Sequence, residues 1–273
     1  MKSLVFIVFF FLENAIVNEA FAQIESCFVN ARMYGMGSIS SVLSGFSNPA
    51  FSSFESQKQL ELNYINRFGL KELSTYSVLF QYPNPWLNGA IHLSRYGFTE
   101  YNETRAALGV SRCLTKQWAL GVRANYNRVH YSEKYSDKGI VTVDLGTVIN
   151  LPENHCKIAC VLYNSLQSGI HWGEDEKEQT LPVIFTLGGL YEVCKQFLVC
   201  GEVGKQTNED VQVRLGIEYQ PFRLLALRGG IQVSPFSPSL GMGIYLGNWT
   251  LHAGFSSSSH LGLQSACGLQ FSF

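Results

Sequence analysis

From Leu263 to the carboxy-terminus the chain alternates without a break. Leu263, Ser265, Cys267, Leu269, Phe271 and Phe273 form one set, and Gln264, Ala266, Gly268, Gln270 and Ser272 the other. Successive side chains of a strand point to opposite faces, so this segment has one apolar face and one small or polar face. The pattern recurs upstream. Val211, Val213, Leu215, Ile217 and Tyr219 oppose Gln212, Arg214, Gly216 and Glu218. Leu225, Leu227, Ile231 and Val233 oppose Ala226, Arg228, Gly230 and Gln232. Val141, Val143, Leu145 and Ile149 oppose Thr142, Asp144 and Gly146, and Trp118 to Tyr126 behaves alike. Runs of this length match a strand template and no helical one. With turn signals such as Pro83-Asn84-Pro85, Asp137-Lys138-Gly139, Asn208-Glu209-Asp210, Pro221 and Gly247-Asn248 between them, the count is about 14 strands between residues 59 and 273. An even number of alternating segments, each of roughly ten residues, is the signature of a transmembrane antiparallel β-barrel.

The other end of the chain agrees. Met1-Lys2, an apolar run from Leu4 to Leu12 and the small-residue site Ala20-Phe21-Ala22 have the layout of a secretory signal peptide over 1–22. The apolar run falls far short of the roughly 20 residues a membrane-spanning helix requires. Net charge is −1 and only 15% of residues are charged, with no basic run, so nucleic acid is excluded as a partner. The aromatics Tyr64, Tyr82, Trp86, Trp118, Tyr126, Tyr131, Trp172, Tyr191, Tyr219, Tyr245 and Trp249 fall near strand ends, where interfacial girdles place them. A strand is expected over 155–166, and the acidic stretch around 167–179 after it reads as an exposed loop. The seven cysteines are Cys27, Cys113, Cys156, Cys160, Cys194, Cys200 and Cys267. They behave best as small apolar strand residues. Cys194 and Cys200, flanking a hairpin, are the pair best placed for a bridge.

Residues 23–58 do not alternate. Gly35, Met36 and Gly37 precede a short apolar stretch that Asn48, Pro49 and Ala50 break. This segment is expected to cap or enter the barrel as a hatch, since Met33, Met36, Ile39, Val42, Leu43 and Phe46 would be poorly soluble if left outside. The stretch Ala31-Arg32-Met33-Tyr34-Gly35-Met36-Gly37-Ser38 followed by Asn48-Pro49-Ala50 resembles the start of mature chains in the outer-membrane long-chain fatty-acid transporter superfamily. It is most similar to the barrels attached to type IX secretion in Bacteroidetes. That resemblance implies a hatch in the lumen of a 14-stranded barrel in a bacterial outer membrane. The chain departs from the family at Phe51, where glycine is usual, and in having little room for long extracellular loops.

No catalytic, cofactor-binding or metal-binding set is assigned. The histidines His92, His130, His155, His171, His252 and His260 are scattered, and His92 with Ser94 on one strand face reads as wet lumen residues rather than a hydrolase pair. Arg105, Arg123, Asp144, Glu202, Arg214, Glu218 and Arg228 fall on the polar sets of their strands. A basic residue facing lipid at midplane costs about 2–4 kcal/mol, so these charges are expected to face the lumen. Both signs are present, which points to cross-bracing rather than a selectivity ring. The expected function is passive transport of small apolar molecules, gated by the hatch. The alternatives are a non-transport anchor or shuttle for secreted proteins in type IX secretion, or a soluble secreted β-sandwich that binds a ligand. Expected partners are outer-membrane lipid, the barrel-assembly machinery through the carboxy-terminal strand, and either a small apolar ligand or a secreted protein.

Overall fold

Strands with one apolar and one polar face can satisfy every backbone group without an edge only by closing on themselves. The computed structural model describes residues 29–67, 69–131, 137–170, 179–207, 209–258 and 262–273. The leader 1–22, Cys27, residues 171–178 of the acidic loop (with His171 and Trp172), Asn208 and His260 lie outside the described residues.

Fourteen strands make one closed antiparallel barrel. In chain order they are β1 (Gln59–Arg67), β2 (Ser74–Tyr82), β3 (Asn88–Gly97), β4 (Tyr101–Cys113), β5 (Trp118–Tyr131), β6 (Lys138–Leu151) and β7 (Cys156–Tyr163). A two-stranded hairpin, β8 (Gly169–Ile170) and β9 (Gln179–Thr180), stands outside the barrel sheet. The barrel resumes with β10 (Ile184–Cys194), β11 (Phe197–Gln206), β12 (Gln212–Phe222), β13 (Leu225–Gln232), β14 (Ser237–Leu246), β15 (Trp249–Ser258) and β16 (Gly262–Ser272). Closure is between β1 and β16, in a register from Gln59 opposite Ser272 to Arg67 opposite Gln264. Lys58 and Phe273 exchange backbone hydrogen bonds just beyond that register. The start of β1 and the carboxy-terminus therefore share one end of the barrel, here the terminal end. A two-sheet sandwich is ruled out.

The faces sort as the alternation demands. Leu215, Ile217, Leu227 and Leu263 are exposed on the outer surface, while Arg214, Glu218 and Arg228 are buried on the inner one. An outer wall of exposed leucine, isoleucine, valine and aromatic side chains suits lipid and not water. Leu215→Arg is expected to cost about 2–4 kcal/mol in bilayer unfolding titrations if the site lies near the midplane. Thr142→Arg, on the inner face, serves as the contrast. Equal effects at the two positions would contradict the assignment of faces.

Four expectations are corrected. Pro221 does not end its strand: β12 runs through it to Phe222, and a register irregularity between Tyr219 and Phe222 takes up the missing N–H. Tyr245 is not part of an outer girdle, because its hydroxyl accepts from Arg228 on the inner face. Cys194 and Cys200 are both free thiols, one exposed and one buried, because a register irregularity at Glu192 and Cys194 separates their faces. The segment expected to be a strand to residue 166 stops at Tyr163, because Asn164 and Gln167 adopt left-handed φ of 51° and 49°.

That early stop leaves β6 longer than its neighbour. Pairing of β6 with β7 ends at Leu145 opposite Leu162. Toward Lys138, β6 has no strand partner on that side among the described residues. Ser165 donates to the Val143 carbonyl, and β8 lies beside β6.

Candidate functional site

The amino-terminal segment is too short and too apolar to fold alone, and its backbone needs partners. It finds both inside the barrel. Asn30 caps the short helix Ala31–Tyr34, its side chain accepting from the Met33 N–H. A 3-10 turn, Pro49–Phe54, is capped by Asn48, whose side chain accepts from Ala50 N–H. Between them the chain makes tight turns, with Gly37 at φ +72° and Ser38 at φ +60°.

The segment follows the inner wall strand by strand. It leaves Asn63 on β1 and passes β16, β15, β14, β13 and β12. It reaches Glu202 on β11 through Ser40 and Ser41. It then crosses the lumen. Gly45 packs against Gln81 on β2, and the Phe46 ring lies 4.4 Å from the His92 ring on β3. In the circuit of fourteen strands β2 stands diametrically across from β11. The chain continues past β6 and β5 before entering β1.

Glycines on the inner face make this path sterically open. A Cβ on Gly230 would lie 2.2 Å from the Gly37 nitrogen, and one on Gly121 would lie 2.4 Å from the Ala50 nitrogen. Three of these glycine seats are cross-strand pairs: Gly121 with Gly146, Gly216 with Gly230, and Gly241 with Gly254. Each pair removes two side chains from one patch of wall, so backbone can lie flat on backbone. A side chain at Gly230 therefore cannot coexist with the seated segment. Gly230→Val is expected to expose Met36 and Gly37, read as faster proteolysis within 31–50 in a barrel that still shows its heat-modifiable gel shift. Proteolysis at the wild-type rate would contradict the seat.

Ion pairs do the rest. The inward charges stand directly opposite one another across the strands: Arg123 with Asp144, Glu202 with Arg214, and Glu218 with Arg228. Arg123 lies 2.9 Å from Asp144 and also donates to the carbonyls of Phe46 and Ser47, at 2.7 and 3.1 Å. Glu202 lies 2.7 Å from Arg214 and accepts from the N–H groups of Ser40 and Ser41, at 2.9 and 2.6 Å. Glu218 accepts from Arg228 and, at 3.1 and 3.0 Å, from Arg32 of the segment. The cation takes backbone carbonyls and the anions take N–H groups or a guanidinium, so each pair is completed by the segment. Arg105 donates to Asn127, further toward the other end.

Apolar contacts complete the seat. Met33, Met36, Ile39, Val42, Leu43, Phe46 and Ala50 form one buried cluster with Leu79, Ala119, Val148, Ala159, Leu190 and Cys200 of the wall. Alternation alone had hidden these wall residues, since each shares its inner face with glycines or polar neighbours. Gly35, Met36, Gly37, Asn48, Pro49 and Ala50 all lie on the wall. His92 and Ser94 are both buried on the inner face. His92 stands against Phe46, at the centre of the packing.

A second inner patch differs in character. Val161, Tyr163 and Ile184 cluster where β7 stops and β10 begins. Val129, Ile140 and Leu181 are buried as well. At the same end the inner face also carries Ser77, Ser94, Asn125, Asn127 and Ser256, all buried. An apolar patch therefore stands among polar inner residues beyond the seat, and it adjoins the stretch of β6 that has no strand partner on one side among the described residues.

No protein-family model matches the chain, and no curated protein matches it either. Solved structures do. The toluene transporter TodX of Pseudomonas putida is 13% identical at a TM-score of 0.67, covering 89% of this chain and 98% of that one. The monoaromatic hydrocarbon channel CymD is 12% identical at a TM-score of 0.61, covering 90% and 97%. A FadL homologue of Pseudomonas aeruginosa is 10% identical at a TM-score of 0.55, covering 89% and 97%. At these identities the likeness is one of fold. The fold is that of outer-membrane hydrocarbon and fatty-acid transporters, and it lends nothing to a role in type IX secretion.

Proposed function

We propose that this chain is a passive outer-membrane transporter of small apolar molecules, with the amino-terminal segment as its hatch. The observation that carries the reading is the apolar inner patch of Val161, Tyr163 and Ile184 beside the unpaired edge of β6. An apolar solute entering from the end opposite the termini meets one sector that tolerates it. Ahead of it lies the close-packed hatch, clamped to the wall by three ion pairs. Beside it, among the described residues, β6 has no strand partner on one side toward Lys138, and hydrocarbon lies outside. The likeness in fold to hydrocarbon channels supports this reading, as does the segment's packing across the lumen.

The test is uptake of toluene by cells expressing the chain. Ile184→Glu places a charge in the patch and is expected to lower uptake several-fold. Surface level and gel shift should be unchanged. Wild-type uptake no faster than in cells lacking the chain would overturn the proposal.

A further inference from the structure

Below the hatch, at the terminal end, lies a chamber of about 270 Å³ that the apolar route leaves unused. Its walls come from β1, β2, β7, β14, β15 and β16, so it is centred on the barrel axis. Arg32, Glu55, Glu61, Lys157, His252 and Gln270 line it. Burial raises the Glu55 carboxyl above its ordinary range, against the opposing pull of Lys157 and a hydrogen bond from Gln59. Its floor is the turn Leu43-Ser44-Gly45. That turn is the stretch that crosses the lumen from Glu202 to Gln81. On its far side the inner face again carries amides and hydroxyls, among them Asn125, Asn127 and Ser77. A hydrocarbon has no partner in such a chamber. A small hydrophilic solute finds donors and acceptors of both signs.

We propose that the barrel axis is a second path, for small hydrophilic solutes of sugar or polyol type, and that the Leu43–Gly45 turn is its gate. The rest of the segment is a fixed collar. Glycine seats and three ion pairs hold it on either side of the turn, whereas the turn carries no charged clamp of its own: its ends are fixed by Ser41 on Glu202 and Phe46 on Arg123, and between them it is held by the packing of Leu43 and of Gly45 on Gln81 and by the Asn48 N–H on the Ser44 carbonyl. Moving the turn breaks neither clamp. The inference shares with the proposed function only the premise that the barrel spans a membrane.

The experiment is swelling of proteoliposomes in arabinose and in raffinose, with toluene uptake measured in parallel. Leu43→Gly is expected to raise swelling in arabinose several-fold, with little change in raffinose. Arabinose swelling held at the protein-free rate in a correctly folded variant would overturn the proposal, as would a gain shared equally by raffinose. Charge gives a second reading. In the Leu43→Gly background, Lys157→Glu is expected to shift the reversal potential in a salt gradient toward cation preference, and an unchanged potential would also overturn it. If arabinose swelling responds while wild-type toluene uptake is absent, the axial path stands and the apolar transporter reading falls.

Discussion

Removing residues 31–50 is expected to raise single-channel conductance in a planar bilayer by on the order of tenfold. Fourteen strands enclose a lumen wider than their own side chains can fill, which is why larger barrels conduct unless plugged. In this chain the filling is supplied by Met33, Met36, Ile39, Val42, Leu43 and Phe46, each buried in the lumen. Their removal leaves Gly121, Gly146, Gly216 and Gly230 with nothing in front of them, and glycine cannot reach inward to close the gap. The strands themselves pair only with each other and with no residue of the segment. The barrel should therefore survive the deletion and keep its heat-modifiable gel shift. A deletion that folds yet conducts at the wild-type level would show that strand side chains close the lumen unaided.

Arg123→Ala is expected to cost about 3–5 kcal/mol in unfolding titrations, because it leaves a buried charge without its partner. The side chains of Arg123 and Asp144 are only 4% and 2% exposed, so water cannot replace the guanidinium cheaply. Asp144 keeps hydrogen bonds from Asn125 and from the Asn164 N–H, which limits the loss. The carbonyls of Phe46 and Ser47 lose their donor at the same time. Pairing Arg123→Met with Asp144→Leu removes both charges and should recover most of the stability. The lost clamp would still free the segment. A double variant as unstable as the single one would show that the pair matters through packing and not through charge.

Much of the barrel was legible because its physics is local. A period of two is written in each strand, and lipid outside with lumen inside makes the two faces chemically unlike. Pairing is not local. Arg123 and Asp144 sit on the polar sets of adjacent strands, but only the length of the β5–β6 connection sets them opposite each other. The glycine seats were present in plain view, on those same polar sets. They carry no sign of what they are for, because a glycine facing a lumen and one facing a second backbone look identical in a sequence. Leu79, Val148 and Leu190 break the polar inner pattern, and that breach was the available signal that something apolar lay inside. The end of β7 is not legible because Asn164 and Gln167 are ordinary polar residues in a sequence and only their left-handed backbone ends the strand. Tyr245 reads as an interfacial residue because aromatic rings near strand ends usually are. Its partner, Arg228, lies on the neighbouring strand.

The central claim is that the segment lies inside the closed barrel, bound to its inner wall. The Gln81 side chain donates to the Ser52 hydroxyl at 2.7 Å, so cysteines at these two positions, in a background with the native cysteines replaced, report on it directly. Treatment of membranes carrying Ser52→Cys with Gln81→Cys with a short bis-methanethiosulfonate reagent, which spans the reach the glutamine side chain covers, is expected to give an internal cross-link, seen as a change in gel mobility reversed by reductant. Each single variant should resist labelling by a membrane-impermeant maleimide. Free labelling of Ser52→Cys from solution, with no cross-link in the double variant, would place the segment outside the barrel and contradict the account.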